Sequence, residues 1–188
     1  MKIQTGLFAV ILLLWIPAST QPCLPQGITF TTQAQIDSFP ITNPNCSEIE
    51  GIVYITGNDI TNLNGLSSII SIGTDLYIRN TSSLANLSGL NNLTSVGREL
   101  SIGGNSSLNS LEGLGGLEFV GSAFELDNNP FLLDLNGLNS LTSIGGYMLI
   151  SWNAALMSLT GLDSLGSVGG AVNIDGNPLL KLIYQRVL

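Results

Sequence analysis

Residues 124–147, FELDNNPFLLDLNGLNSLTSIGGY, hold one full period of this chain. Its Gly137-Leu138 step recurs as Gly65-Leu66, Gly89-Leu90, Gly113-Leu114 and Gly161-Leu162, each 24 positions from the next. Its Ile144-Gly145 step recurs as Ile72-Gly73, Val96-Gly97, Val120-Gly121 and Val168-Gly169. A fixed period in the twenties identifies a solenoid, in which each repeat is one coil stacked on the last.

Seven apolar columns pass through this stretch, at Phe124, Leu126, Leu132, Leu135, Leu138, Leu141 and Ile144. Phe124 belongs to the column Val53, Leu76, Leu100, Phe124, Met148, Val172, and Leu126 to Ile55, Ile78, Ile102, Leu126, Ile150, Ile174. These two columns are spaced by two, the period of a strand whose alternate residues point outward. The other five fall at every third residue. Gly, Asn and Ser lie between them, as in Leu63-Asn64-Gly65-Leu66, and Gly inside a segment disfavours a regular helix. Short strands joined by tight turns follow. Stacked coils then form parallel sheets around an apolar interior, with like side chains about 4.8 Å apart in each column. The expected fold is a mainly β solenoid of about six coils, with the two sets of glycines turning its corners at positive φ.

Asn105, Asn129, Asn153 and Asn177 form a further column, with Thr81 in register in the second coil and Asn58 placed across a one-residue deletion in the first. Such a stack is expected to point inward and bond the backbone of its neighbour. Before the repeats, Thr32 reads as a helix N-cap with Gln35 three residues on. Ala34, Ile36 and Phe39 mark the apolar face of a short capping helix. At the other end the pattern runs through Leu180 and Ile183, then fails at Gln185 and Arg186. A solenoid needs a cap over its last layer, so residues 184–188 read as an irregular end, from truncation or a missing downstream segment, with a minimal cap over 181–188 as the alternative.

Residues 1–20 stand outside the domain. Lys2, the apolar run Leu7–Ile16 and the small residues Pro17-Ala18-Ser19-Thr20 form a secretory signal peptide, too short for a comfortable membrane span. The expected organisation is a signal peptide at 1–20, an N-terminal cap at 21–51, the repeat solenoid at 52–183 and the irregular end. No later segment is apolar enough to span a membrane. Cys23 and Cys46 are the two cysteines. In an exported chain an even pair reads as one disulfide, worth on the order of 3 kcal/mol by loop entropy; two free thiols are the alternative. The net charge is −8, which argues against nucleic acid and anionic membrane surfaces.

The opening Cys23-Leu-Pro-Gln-Gly27 precedes the helical stretch, and Cys46-Ser-Glu-Ile-Glu-Gly-Ile-Val-Tyr-Ile55 follows it. A Cys, then Ile-x-Gly, then a hydrophobic strand resembles the start of receptor L domains, the ligand-binding domains of epidermal growth factor and insulin-type receptors. The repeats are similar to L-domain-like proteins secreted by bacteria and to a related fungal cell-wall family. Over residues 23–180 the resemblance implies a right-handed, leucine-rich-repeat-like β-helix with a disulfide-tied helix at its start. It also implies an extracellular or cell-surface setting.

Catalytic groups are scarce. The chain has no His, which removes the commonest general base and metal ligand. Gly103-Gly104 and Gly145-Gly146 lack the Lys-Ser/Thr of a phosphate loop. Asp127 and Asp175 share a column, but Ser151 stands between them. No cofactor or metal is expected. The outward positions of the first sheet remain: Tyr77, Ser101, Glu125, Leu149 and Asn173, with Asp75, Glu99, Ala123, Tyr147 and Ala171 two residues before each. Tyr147, Leu149 and Trp152, with Tyr77, form the expected ligand patch. Asn45, Asn80, Asn86, Asn92 and Asn105 lie in sequons and are glycosylation positions if the source is eukaryotic. The expected function is extracellular, non-enzymatic recognition or adhesion toward a protein or glycan. The alternative is a structural spacer that self-associates through an open C-terminal edge.

Overall fold

The computed structural model describes residues 22–181. The expected signal peptide and residues 184–188 fall outside that range. Each coil contributes one short and one longer strand. Ahead of the first repeat stand β1 (Pro22–Cys23) and β2 (Ile28–Phe30), followed by α1 (Gln33–Thr42). Then come β3 (Glu48–Ile49) with β4 (Val53–Ile55), β5 (Ser71–Ile72) with β6 (Leu76–Arg79), and β7 (Ser95–Val96) with β8 (Leu100–Gly103). The series ends with β9 (Phe119–Val120) and β10 (Phe124–Asp127), β11 (Ser143–Ile144) and β12 (Met148–Ser151), and β13 (Ser167–Val168) and β14 (Val172–Asp175).

Odd strands form one seven-stranded parallel sheet and even strands the other, each in chain order. Register follows the ruler: Leu76 pairs Leu100, Leu100 pairs Phe124, and Phe124 pairs Met148. The deletion in the first repeat appears as Glu48 opposite Ser71 and Ile55 opposite Ile78.

The expected boundary at residue 51 is not a structural one, because β1, β2 and β3 are already strands of the two sheets. The cap is the helix alone, which packs against the 3-10 turn Asn64–Leu66 of the next coil. Thr32 caps α1 and Gln35 completes the capping box. Ile36 and Phe39 are buried, with Phe39 edge-on to Phe30 at 5.6 Å; Ala34 instead faces solvent. The Gln33 side-chain oxygen accepts from the Thr61 and Asn62 amides at 2.8 and 3.2 Å. Cys23 and Cys46 are joined in a disulfide, with Cα atoms 5.7 Å apart. It ties β1 to the segment after the helix.

The core is the seven columns, buried from the repeat that begins at Val53 through the one that ends at Ile144. In the last described coil they are half-open: Leu162, Leu165 and Ile174 are only partly buried and Val172 is 53% exposed.

The two sets of glycines do different work, which corrects the expectation that both turn corners at positive φ. Gly89, Gly113, Gly137 and Gly161 have φ between +111° and +113°, a region that disfavours any side chain. Gly97, Gly121, Gly145 and Gly169 have no such angle. They stack on one another, and a Cβ at Gly121 would overlap the carbonyl oxygen of Gly97. The reason for glycine there is close approach of backbone to backbone.

The asparagine column forms an inward ladder. Asn105 Oδ1 accepts from the Thr81 amide and hydroxyl at 3.0 and 2.7 Å, and its Nδ2 donates to the Ile78 carbonyl at 2.9 Å. Asn129, Asn153 and Asn177 repeat the pattern, each donating Nδ2 to a strand carbonyl of the preceding coil. Asn58 does not join it. It is exposed and accepts from the Ser82 hydroxyl instead.

Candidate functional site

With the interior filled by columns, chemistry is left to the outer face of the larger sheet. Strand alternation turns Tyr54, Tyr77, Ser101, Glu125 and Leu149 outward in one row across β4, β6, β8, β10 and β12. Tyr54 and Tyr77 stack, with centroids 4.6 Å apart and ring planes 14° from parallel. Arg79 lies across the neighbouring strands. Its Nε donates to Ser101 Oγ at 2.8 Å, and its Nη2 reaches Glu125 Oε2 and Asp127 Oδ1, both at 3.0 Å. Gly103, opposite Arg79 on β8, leaves room for that reach, since a Cβ there would press on the Asp127 carboxylate. The Tyr147 hydroxyl donates to Glu125 Oε1, and the Tyr77 hydroxyl to Glu99 Oε2 at 3.3 Å. Asp75 accepts from the Glu99 amide at 3.1 Å and stands 3.8 Å from Arg98. The network thus consists of two bonded groups on one face, Tyr77–Glu99–Asp75–Arg98 and Arg79–Ser101–Glu125–Asp127–Tyr147.

Negative charge dominates this face and shows in its proton affinities. Tyr77 is pushed up to about 12, first by burial, then by the Glu99 and Asp75 charges. Tyr147 is also pushed up to about 12, first by its hydrogen bond to Glu125, then by burial. Glu99 is raised by burial and by Glu125, against the hydrogen bond from Tyr77. Asp127 is raised by burial, with Arg79 opposing.

A pH dependence follows. The folded chain holds the Tyr77 and Tyr147 protons more tightly than the unfolded chain, whose phenols ionise near about 10. The stability they contribute is complete below that pH and is lost as pH climbs from about 10 toward 12. An ultraviolet titration of tyrosinate is expected to show two late phenols, with Tyr147→Phe removing one of them. A single step near about 10 for every tyrosine would contradict the network.

The structure divides the expected ligand patch. Tyr77 and Tyr147 belong to the network, and Leu149 is half-buried beside them on the same face. Trp152 lies at the far end of β12, beyond the sheet, at φ +58°. Three of the expected outward residues are covered: Asp75 and Ala123 are buried, and Ser101 lies beneath the Arg79 guanidinium. Tyr54, which lies between the column residues Val53 and Ile55 and pairs with Tyr77, joins the expected outward row. Among the sequons, Asn45, Asn80 and Asn92 are exposed and Asn86 is half-buried. Asn105 is fully buried with its amide committed to the ladder, so the folded chain has no room for a glycan there. Among the described residues, no group of three or more His, Cys, Asp or Glu side chains converges as a metal site, and no helix is long and apolar enough to cross a membrane.

No family model, no curated protein and no solved structure matches the chain.

Proposed function

We propose that this chain is an extracellular, non-enzymatic recognition module of receptor-L-domain type, binding a protein or glycan through the outer face of its larger sheet. One observation carries the reading: the stacked Tyr54–Tyr77 pair and the hydrogen-bonded Tyr147 share a face whose side chains are locked in place by Arg79, Glu99 and Glu125. Rigid aromatic groups supply contact area at low entropic cost, and prior order lowers the cost of binding. The Cys23–Cys46 disulfide supports an oxidising compartment, and the sequence of residues 1–20 supports export.

A second reading, a cell-surface spacer, is favoured by the half-open last coil with Val172 exposed. Unpaired strand edges and apolar ends invite self-association. The test is an array of extracellular proteins and glycans, run beside light scattering. Saturable capture of a discrete ligand by a monomer supports recognition. No capture, with mass that grows with concentration, supports the spacer.

A further inference from the structure

The corner after each of β6, β8, β10, β12 and β14 takes a left-handed residue. Asn80, Gly104, Asn128 and Gly176 supply it at φ between +54° and +68°. Glycine and asparagine tolerate that region best. Trp152 holds the same place in its coil at φ +58°, a conformation that strains a bulky side chain. Burial does not offset the strain, because Trp152 is 66% exposed. The indole rests against Gly176, where a Cβ would stand 2.9 Å from the ring. The ring is therefore placed by the backbone of the next coil and left open to solvent. With Ala154, Gly176, Asn177 and Pro178 it borders an open cleft of about 500 Å³.

Polar residues hold the places next to Trp152 in the neighbouring coils. Asn128 sits in the same column one coil before, and Asp175 ends the strand whose carbonyl receives the Trp152 amide at 3.2 Å. Both side chains are exposed, and neither makes a hydrogen bond within the described residues. An aromatic platform with hydrogen-bonding groups at its edge suits a ligand that is apolar on one face and hydroxylated at its rim. One ring beside a cleft of this size matches one or two sugar units rather than the roughly 800 Å² per partner of a protein interface. Asp175, in a chain of net charge −8, repels an anionic sugar.

We propose that Trp152 is the stacking platform of a glycan-binding site that takes the C–H face of an uncharged pyranose, with Asn128 and Asp175 bonding its hydroxyls. The site lies at the opposite end of β12 from Tyr147 and does not rest on the tyrosine face.

The chain has two tryptophans; Trp15 lies in the expected signal peptide, so the mature chain carries Trp152 as its single tryptophan, excited selectively at about 295 nm. Neutral oligosaccharides of glucose, galactose or N-acetylglucosamine are titrated into that protein, with a sulfated oligosaccharide as the anionic arm. A saturable emission change with a neutral sugar and none with the sulfated one is expected. Trp152→Asn copies the neighbouring coils; it is expected to melt no lower than wild type and to bind the same sugar at least about tenfold more weakly. Tyr54→Ser/Tyr147→Ser, which cuts into the tyrosine face, is expected to keep the response. No change with any neutral sugar, full affinity in Trp152→Asn, a response to sulfated sugars alone, or a protein ligand alone on this corner overturns the proposal.

Discussion

Asn129→Ala is expected to lower unfolding stability by about 4 kcal/mol, from several buried groups each costing about 1–3 kcal/mol when stranded. Asn129 Nδ2 donates to the Ile102 and Asp127 carbonyls at 3.0 and 3.1 Å. Its Oδ1 accepts from the Asn105 amide and side chain at 3.3 and 3.1 Å. Alanine removes the amide from a fully enclosed site; the Asp127 carbonyl keeps the Gly104 amide and Asn105 Nδ2 keeps the Ile78 carbonyl, while the remaining bonds are lost. The ladder also links coils in series, so the loss spreads along it. Against a typical total of about 5–15 kcal/mol, such a loss is a large share. Urea unfolding measures it, with Asn58→Ala as the comparison. Asn58 is exposed and outside the ladder, so its change is expected to stay within about 0.5 kcal/mol. Equal effects at the two positions would mean that the ladder is not structural.

Gly121→Ala is the second large effect, expected at about 3 kcal/mol or more, the upper range of overpacking. The added methyl would meet the Gly97 carbonyl oxygen, which is backbone and cannot swing away. Gly145 stacks on Gly121 in turn, so a shift in one coil disturbs the next. Gly115 is the control. A Cβ there meets nothing within 4 Å, and Gly115→Ala is expected to be neutral or slightly stabilising because it restricts the unfolded chain. Thermal melting of both variants separates close approach from a general intolerance of substitution in the repeat.

These two glycines show how far the sequence could be read. The period located every core column, because burial repeats with the coil and leaves a regular mark. The capping-box spacing placed the Thr32 cap, and the even cysteine count the Cys23–Cys46 pair. Period alone did not reveal why each glycine is needed. Gly113 and Gly121 recur identically, yet one answers a dihedral angle as well as a neighbouring carbonyl and the other the carbonyl alone. The candidate site was legible only in part. Its outward rows followed from strand alternation, but Arg79 reaches Glu125 and Asp127 two strands away, which depends on side-chain length and on the space above Gly103. Tyr54 was legible from its place between Val53 and Ile55, but its stacking on Tyr77 needed the structure. The place of Trp152 in a column of Asn and Gly was there to be read, and its meaning needed the backbone angle.

If the outside of the larger sheet carries recognition while the inside carries the fold, the two properties separate in one variant. Tyr54 and Tyr147 are each 42% exposed, so Tyr54→Ser/Tyr147→Ser removes aromatic contact from the face with little change inside. The measurement is capture of an array-identified ligand by wild type and by this variant, with melting recorded on the same samples. Capture is expected to fall at least about tenfold while the melting temperature stays within about 4 °C. Undiminished capture at equal stability would contradict recognition through this face.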